Sequence, residues 1–453
     1  MASVSRTAGL QPAGDPACTA ECGSGAPAAS KEATTSPSPT LTARPENHRG
    51  PRRRLGAALV LGLAVSLLPA CRQPETTPLK IAVSLSFGID GNGQPTSVPG
   101  AQRFRAMELA MKEVHHQVRG RRVELLLLDS GVNDADEQKA ELVAVRAAIA
   151  DPAVIAYIGP LTSNQARISL PLLNQASIVQ VGFSTTWPGF TRPGFAPGEP
   201  GIHYPTGRRH FFRVVPTDDV QARLAARWAH QLGFRSVYLV DDGTPYGRGV
   251  GGIFADAAGD LGLQVVESYS APRFNDPEVF VSRVVPRVLA TAPDLLYYAG
   301  GINEFGVCLL TSVREARPQQ ALMMPDAAFE VAMDEDPFRN LLSGLYATLV
   351  SVPTSQLSSP EAQHFVDAFQ DRYGQAPTPM EANIFEALMV VLRAMELAPE
   401  LSRKGVLRGM EQLGEYHGVL GTWHFDANGD ATLESFSGMQ LSDGIWHYLD
   451  TLH

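Results

Sequence analysis

From Pro78 onward the chain is predicted to be α/β, with two Rossmann-like lobes whose parallel sheets are joined by a multi-crossover hinge. Three observations predict this. Short, nearly continuous apolar runs such as Leu79–Leu85 and Val154–Ile158 read as strands buried on both faces. Amphipathic stretches of helical period separate them, as with Phe104, Met107, Met111, Val114 and Val118. The alternation runs once, breaks in a Pro- and Gly-rich loop over 188–207, restarts, and is followed by a mostly helical segment.

The elements follow in order. Strand Leu79–Leu85 leads to the first helix, and Val123–Leu128 is a strand running into Asp129. The next helix carries Asp134, Asp136 and Glu137 in its first turn, where acids complement the helix dipole, with Leu142, Val145 and Ile149 on one face. Strands Val154–Ile158 and Ile178–Val181 flank a helix over 164–174. The second unit has helix 218–232 stopped by Gly233, strand Ser236–Val240, helix 250–261 stopped by Gly262, and strand Val265–Tyr269. Helix 277–290, strand Leu295–Tyr298, helix 303–316 and strand Leu322–Met324 complete it. Helices over 361–373, 382–397 and 403–413 return the chain, and the tail reads as hairpins turning at Asn428-Gly429 and Asp443-Gly444. Residues 79–216 with 352–416 are expected to form lobe 1, and 217–351 with 417–453 lobe 2.

Charge narrows the function. Lys+Arg 37 against Asp+Glu 47 gives −10. Residues 1–70 hold seven basic and four acidic groups, so the remainder, with 30 basic and 43 acidic, carries −13. A body this acidic argues against nucleic acid, which wants a basic face.

Residues 1–54 are rich in Ala, Pro, Ser, Thr and Gly and end in a basic patch, Arg52-Arg53-Arg54. The lead has the composition of disorder. Behind it, 55–71 reads as a signal segment: sixteen uncharged residues from Leu55 to Ala70, then Cys71. The run is shorter than the roughly 20 residues of a comfortable membrane helix. Leu68-Pro69-Ala70-Cys71 resembles a bacterial lipobox, although Pro69 stands where small or hydroxyl residues are commoner. That resemblance implies cleavage before Cys71, lipidation of its thiol, and a mature chain anchored outside the cytoplasm; the alternative is an uncleaved anchor. Either way cytosolic ATP and NAD are out of reach. Because a signal rarely sits behind so long a lead, the true start codon is expected downstream; the alternative is a genuine long n-region. Cys18 and Cys22 lie upstream of the signal and Cys308 stands alone, so neither a disulfide nor a cysteine metal site is expected.

In open α/β sheets ligands bind beyond the carboxyl ends of the strands. Those ends carry Gly159-Pro160-Leu161-Thr162-Ser163, Gly182-Phe183-Ser184-Thr185-Thr186-Trp187-Pro188, Asp241 to Gly247, and Met324-Pro325-Asp326. Ser163 and the first N–H groups of the helix behind it can donate to a carboxylate; alternatively Ser163 only caps that helix. The Thr186 hydroxyl and the Thr185 carbonyl can serve an ammonium.

Together with Thr186-x-Pro188-x-x-Thr191, Phe212-Arg213…Asp218, Tyr246-Gly247-x-Gly249, Asp294…Tyr298 and Phe425…Gly429-Asp430, these make one ordered series. It resembles that of substrate-binding proteins of branched-chain amino acid ABC transporters, the leucine/isoleucine/valine-binding family with periplasmic binding protein fold type I. The resemblance implies no enzyme and no cofactor: a small polar ligand, an amino acid in the leading case, is captured between lobes and delivered to an ABC permease. It also implies roles: Ser163 and Thr186 anchor the α-carboxylate and α-amino groups, Asp326 pairs with the ammonium, and Tyr246 covers the ligand from the second lobe. An acid in a ligand site at 326 makes sense only if a cation arrives, since an unpaired buried carboxylate is costly; alternatively Asp326 caps a turn or helix, Tyr246 is an ordinary interlobe aromatic, and Thr186 is a loop hydroxyl. Trp187 is large for its place; it either borders the cleft, favouring a flat or aromatic ligand, or packs at the surface. Ile302-Asn303 replaces an aromatic pair frequent in the family.

Other patterns are discounted. The glycines from 243 to 252 lack phosphate-loop order, Asp426 to Asp430 is too short for a calcium loop, and His115-His116 has no ligand set beside it, so no metal site is expected. Two alternatives stand beside transport: a receptor that senses amides, urea or aromatic acids, and an exported hydrolase, which would need a histidine within reach of Ser163.

Overall fold

The computed structural model describes residues 77–89, 94–131, 137–271, 277–301, 304–330 and 342–453. The lead, the signal segment with Cys71, Asp134, Asp136 and Ile302-Asn303 lie outside these residues.

The first sheet has the order β2-β3-β1-β4-β5-β6. Its members are β1 (Leu79–Leu85), β2 (Gln117–Val118), β3 (Arg121–Asp129), β4 (Val154–Ile158), β5 (Val179–Gly182) and β6 (Phe211–Arg213). All its pairings are parallel except β2 with β3. Strands β1 and β4 are buried on both faces, and each large aliphatic side chain so buried contributes about 1.5–3 kcal/mol. Helix α1 (Val98–Glu113) packs on one face, with α8 (Pro360–Tyr373), α9 (Pro379–Leu397) and α10 (Arg403–Glu411) beside it. Helices α2 (Glu137–Ala150) and α3 (Ser163–Gln175) lie on the other.

The second sheet has the order β15-β14-β11-β10-β9-β7-β8. It comprises β7 (Ser236–Asp241), β8 (Gln264–Ser270), β9 (Leu295–Ala299), β10 (Ala321–Met324), β11 (Tyr346–Leu349), β14 (Phe436–Ser442) and β15 (Ile445–Leu452). Strands β7 to β11 pair in parallel, while β14 and β15 join antiparallel. Helices α4 (Asp218–Gln231) and α5 (Pro245–Leu261) cover one face, α6 (Pro277–Thr291) and α7 (Glu304–Ala316) the other. The mixed α/β architecture expected from the sequence is therefore present.

Local differences have identifiable causes. Helix α1 stops at Glu113 because His115 and His116 take φ of 51° and 55°, turning the chain into β2. Helix α5 starts at Pro245 rather than 250, capped by the Thr244 hydroxyl, which accepts the Gly247 amide at 3.0 Å. Its glycines resemble a loop in sequence but occupy the first helical turns. Helix α9 likewise begins three residues early, in a capping box between Thr378 and Glu381. The hairpin at Asp443-Gly444 forms as expected, with φ of 51° and 74°. Asn428-Gly429 closes only an isolated Phe425–Ala431 bridge.

Residues 417–431, expected with the second lobe, instead give Val419, Trp423 and Ala431 to the first core, where β12 (Tyr416–Gly418) pairs with β13 (Gly421–Trp423). Buried Glu386 on α9 holds them there, accepting from Trp423 Nε1 at 2.8 Å and from the Val419 amide at 3.0 Å. The second sheet takes up the chain only at Phe436. Crossing segments are tied together where the Arg213 amide donates to Gly429 O and the Ala431 amide to Arg213 O, both at 3.1 Å.

Candidate functional site

The first-sheet half of the site is built at the ends of β4 and β5. Gly159 takes φ 103°, and a Cβ there would strike the Ser84 carbonyl, so glycine alone lets the chain turn from β4 toward α3. Thr162 is the N-cap of α3, in a capping box with Gln165. Ser163 is therefore the first residue inside the helix rather than its cap. Its hydroxyl oxygen accepts the Trp187 amide at 3.3 Å, joining the two ligand-loop candidates.

Beyond β5, the segment Thr185–Trp187 is held from beneath by Arg213, a fully buried guanidinium. Nη1 donates to Thr185 O at 3.0 Å and Trp187 O at 2.8 Å, Nη2 to the Thr191 hydroxyl at 2.6 Å, and Nε to Asp430 Oδ1 at 2.7 Å. The Thr185 carbonyl, proposed from sequence for an ammonium, thus already accepts one bond. The Thr185 hydroxyl donates to Pro160 O at 3.4 Å. Thr186 lies between the two carbonyls that Arg213 holds, and its own carbonyl accepts the Asp218 amide at 3.0 Å.

The second-sheet half comes from the first turn of α5 and the end of β10. The Tyr246 hydroxyl donates to Asp326 Oδ1 at 2.9 Å, and both residues are half-buried. Two further groups complete the cluster, neither singled out as a ligand contact from the sequence. Asp218, first residue of α4, is fully buried, and neither of its carboxylate oxygens has a hydrogen bond of standard geometry. Burial first, and the charge of Asp326 second, push its carboxyl well above the usual range; the Thr186 hydroxyl pulls the other way. Its neighbour Asp219 is the opposite case, ion-paired to Arg192 and Arg223. The Tyr297 hydroxyl on β9 is also buried without a partner. Burial raises the Tyr297 phenol, and the charges of Asp326 and Asp218 raise it further.

Five of the six sequence-predicted ligand residues are thereby linked through few bonds: Ser163 to Trp187, Thr186 to Asp218, and Asp218 by its charge to the Asp326–Tyr246 pair. Asp218 hid in the sequence because a helix-start Asp-Asp is ordinary first-turn chemistry. Tyr297 hid because an aromatic strand residue is ordinary core.

Trp187 is buried among first-half side chains. Its Nε1 donates to Glu199 Oε2 at 2.9 Å, and the Arg167 guanidinium lies 5.2 Å from its ring centre. The Asp426–Asp430 turn is tied by its own backbone and by Arg213, with Asp426 Oδ1 accepting the Asn428 and Asp430 amides at 2.8 and 2.9 Å. Among the described residues no group of three or more His, Cys, Asp or Glu is placed to hold a metal ion. Nor is any helix there long and apolar enough to cross a membrane.

Two doubly covered sheets with polar clusters at their strand ends define a two-lobed α/β binding protein. The sequence profile of the periplasmic binding protein family matches residues 81–444, and the chain belongs to that family. Among curated relatives, the Leu/Ile/Val-binding protein homolog 1 of Brucella abortus is 21% identical over 377 residues, 81% of this chain and 93% of the relative. A leucine-binding protein from Thermotoga maritima superimposes with a TM-score of 0.67 at 23% identity, covering 83% of this chain and 99% of that one. A substrate-binding protein of an ABC transporter from Desulfitobacterium hafniense, in complex with Leu, gives 0.65 at 23% identity, covering 82% and 100%. A solute-binding protein from Rhodopseudomonas palustris in complex with benzoate gives 0.64 at 16% identity, covering 83% and 96%. At these identities the likeness of structure is one of fold.

Proposed function

We propose that this chain is an extracytoplasmic solute-binding protein, anchored by a lipid on Cys71, that closes on an α-amino acid and delivers it to an ABC permease. The observation that carries the ligand class is the fully buried carboxyl of Asp218, met by the Thr186 hydroxyl but making no hydrogen bond of standard geometry, together with the charge of Asp326 and the unpartnered Tyr297 hydroxyl. Groups of this kind are costly unless something satisfies them. A primary ammonium does so, supplying three donors and a positive charge to two acids and a phenol. Ser163 and the positive end of α3 then serve the carboxylate of the same ligand.

This charge pattern separates amino acids from aromatic acids such as the benzoate of the Rhodopseudomonas relative. A benzoate offers no cation to Asp218 and Asp326 and brings a further negative charge to an already acidic cluster. The Leu/Ile/Val-binding name of the Brucella relatives and the leucine of the Desulfitobacterium complex favour the same class.

The test is a thermal-shift screen of proteinogenic L-amino acids, their amides and aromatic acids. Amino acids are expected to raise the unfolding temperature; saturation at a hundred times Kd adds about 2.7 kcal/mol. Stabilisation by benzoate but by no amino acid overturns the ammonium reading. The anchor is tested separately: expression in a bacterial host with an alkyne fatty acid should label the wild-type chain and leave Cys71→Ser unlabelled.

A further inference from the structure

Trp187 belongs to the first half of the molecule, and Gly249 lies on α5 of the second. A Cβ at 249 would run into the indole, with Cζ3, Cη2 and Cε3 of Trp187 as its three nearest atoms. The outer edge of the indole therefore rests on the only kind of residue that leaves room for it. We propose that Trp187 seated on Gly249 is the interlobe contact that sets how tightly the protein closes, and that Glu199 is the residue that positions the indole. This rests on the solute-binding reading and adds to it an affinity-determining contact outside the ammonium cluster.

The indole is held as a rigid knob. Glu199 is buried within the 188–207 segment, and its Oε2 accepts Nε1 of Trp187 at 2.9 Å. Its other oxygen is engaged by Arg167 Nη1 at 2.5 Å and by His203 Nε2 at 3.2 Å. Arg167 also covers the ring, while Phe195 meets its edge at a centroid distance of 6.0 Å. The backbone is fixed too: the Trp187 amide donates to Ser163 and its carbonyl accepts from Arg213. Because the Trp187 amide bonds the side chain that would meet a ligand carboxylate, knob and ligand loop move as one body. On the other side, Gly249 stands three residues after Tyr246 in the same helix. Seating the knob and covering the ligand with Tyr246 are then one motion.

A methyl group at 249 overpacks this seat, and trimming the indole makes room again. Small-angle scattering and titration with a pool of the proteinogenic L-amino acids measure the effect on Gly249→Ala, Trp187→Ala and the double variant. Gly249→Ala is expected to half-close at a pool concentration about tenfold higher than wild type. The double variant is expected to recover part of that loss, so the two substitutions are non-additive. Glu199→Ala is expected to red-shift tryptophan emission and weaken closure, with Glu199→Gln restoring both.

A second arm keeps the readings apart. If the pool leaves wild-type scattering unchanged, the amino-acid reading fails, and the same double-mutant cycle is read from thermal unfolding without added solute. Coupling between the substitutions in either arm supports the seat. Additive effects in every arm that gives a signal, or a Gly249→Ala protein that closes like wild type, overturn it.

Discussion

The Tyr246 hydroxyl donates a 2.9 Å hydrogen bond to Asp326 Oδ1, tying the first turn of α5 to the segment beyond β10 across 80 residues of sequence. That bond uses one acceptor of Asp326 and leaves its negative charge in place beside Asp218. The proposed ammonium site rests on this pairing of acids.

Asp326→Ala removes the charge and strands the ligand ammonium against Tyr246. Binding of an L-amino acid ligand should weaken by about 2 kcal/mol or more, roughly thirtyfold in Kd. Isothermal calorimetry with L-leucine reads it, and wild-type affinity in the variant would remove Asp326 from the ammonium site.

If the ligand is an α-amino acid, Asp218 should make its binding proton-linked. In the empty site its carboxyl is raised by burial and then by Asp326, so it holds a proton above the usual carboxylate range. An arriving ammonium favours the carboxylate and expels that proton. Affinity should therefore rise with pH up to the raised value, by at most about tenfold per pH unit for one proton. Calorimetry in buffers of different ionisation enthalpy should detect proton release in the wild type and none in Asp218→Asn.

Glu141 should shape stability without touching the site. It is fully buried between α2 and the first sheet and accepts from Ser84 at 2.6 Å and Tyr157 at 2.8 Å. Burial, only partly opposed by those hydroxyls, raises its carboxyl from 4.5 to about 7. Between those values the unfolded chain has lost the proton and the folded chain keeps it, so stability is fully present below 4.5 and falls as pH rises to about 7. The loss from this group is on the order of 3 kcal/mol. Glu141→Gln should flatten that part of the profile of unfolding free energy against pH; an unchanged slope would assign it elsewhere, Glu386 being a second glutamate raised to about 7.

Arg213→Lys keeps the charge and loses the fork. One ammonium cannot reach the Thr185 and Trp187 carbonyls, the Thr191 hydroxyl and Asp430 together. Leaving buried acceptors unpaired should cost about 2–4 kcal/mol, read from the urea midpoint. Because Thr186 lies between the two carbonyls, amino-acid affinity should fall in the same variant.

The architecture was legible where burial and periodicity spoke together. Apolar strands such as Val154–Ile158, and helices ended by Gly233 and Gly262, announce themselves by short-range chemistry. Legibility failed where local chemistry is ambiguous. The glycines of α5 look like a loop until Thr244 caps them into a helix, and β2 is too short for any period to show. Residues 417–431 stay with the first core because Glu386 holds them, a contact 33 to 37 positions away that no window can see.

The candidate site divides the same way. Ser163, Thr186, Tyr246 and Asp326 could be named from the sequence because strand ends of an α/β fold are where ligands bind. Their mutual arrangement could not: the hydrogen bond between Tyr246 and Asp326 depends on how α5 packs against the second sheet, and the burial of Asp218 next to Thr186 on how the two halves meet. Trp187 is the sharpest case: its size was visible at once, while its seat on Gly249 exists only in three dimensions. Sequence by itself determined which polar groups stand at the strand ends, where ligands of α/β folds bind. Tertiary packing decided which of them are left unsatisfied, because desolvation and charge proximity are properties of the folded surroundings and not of the residue.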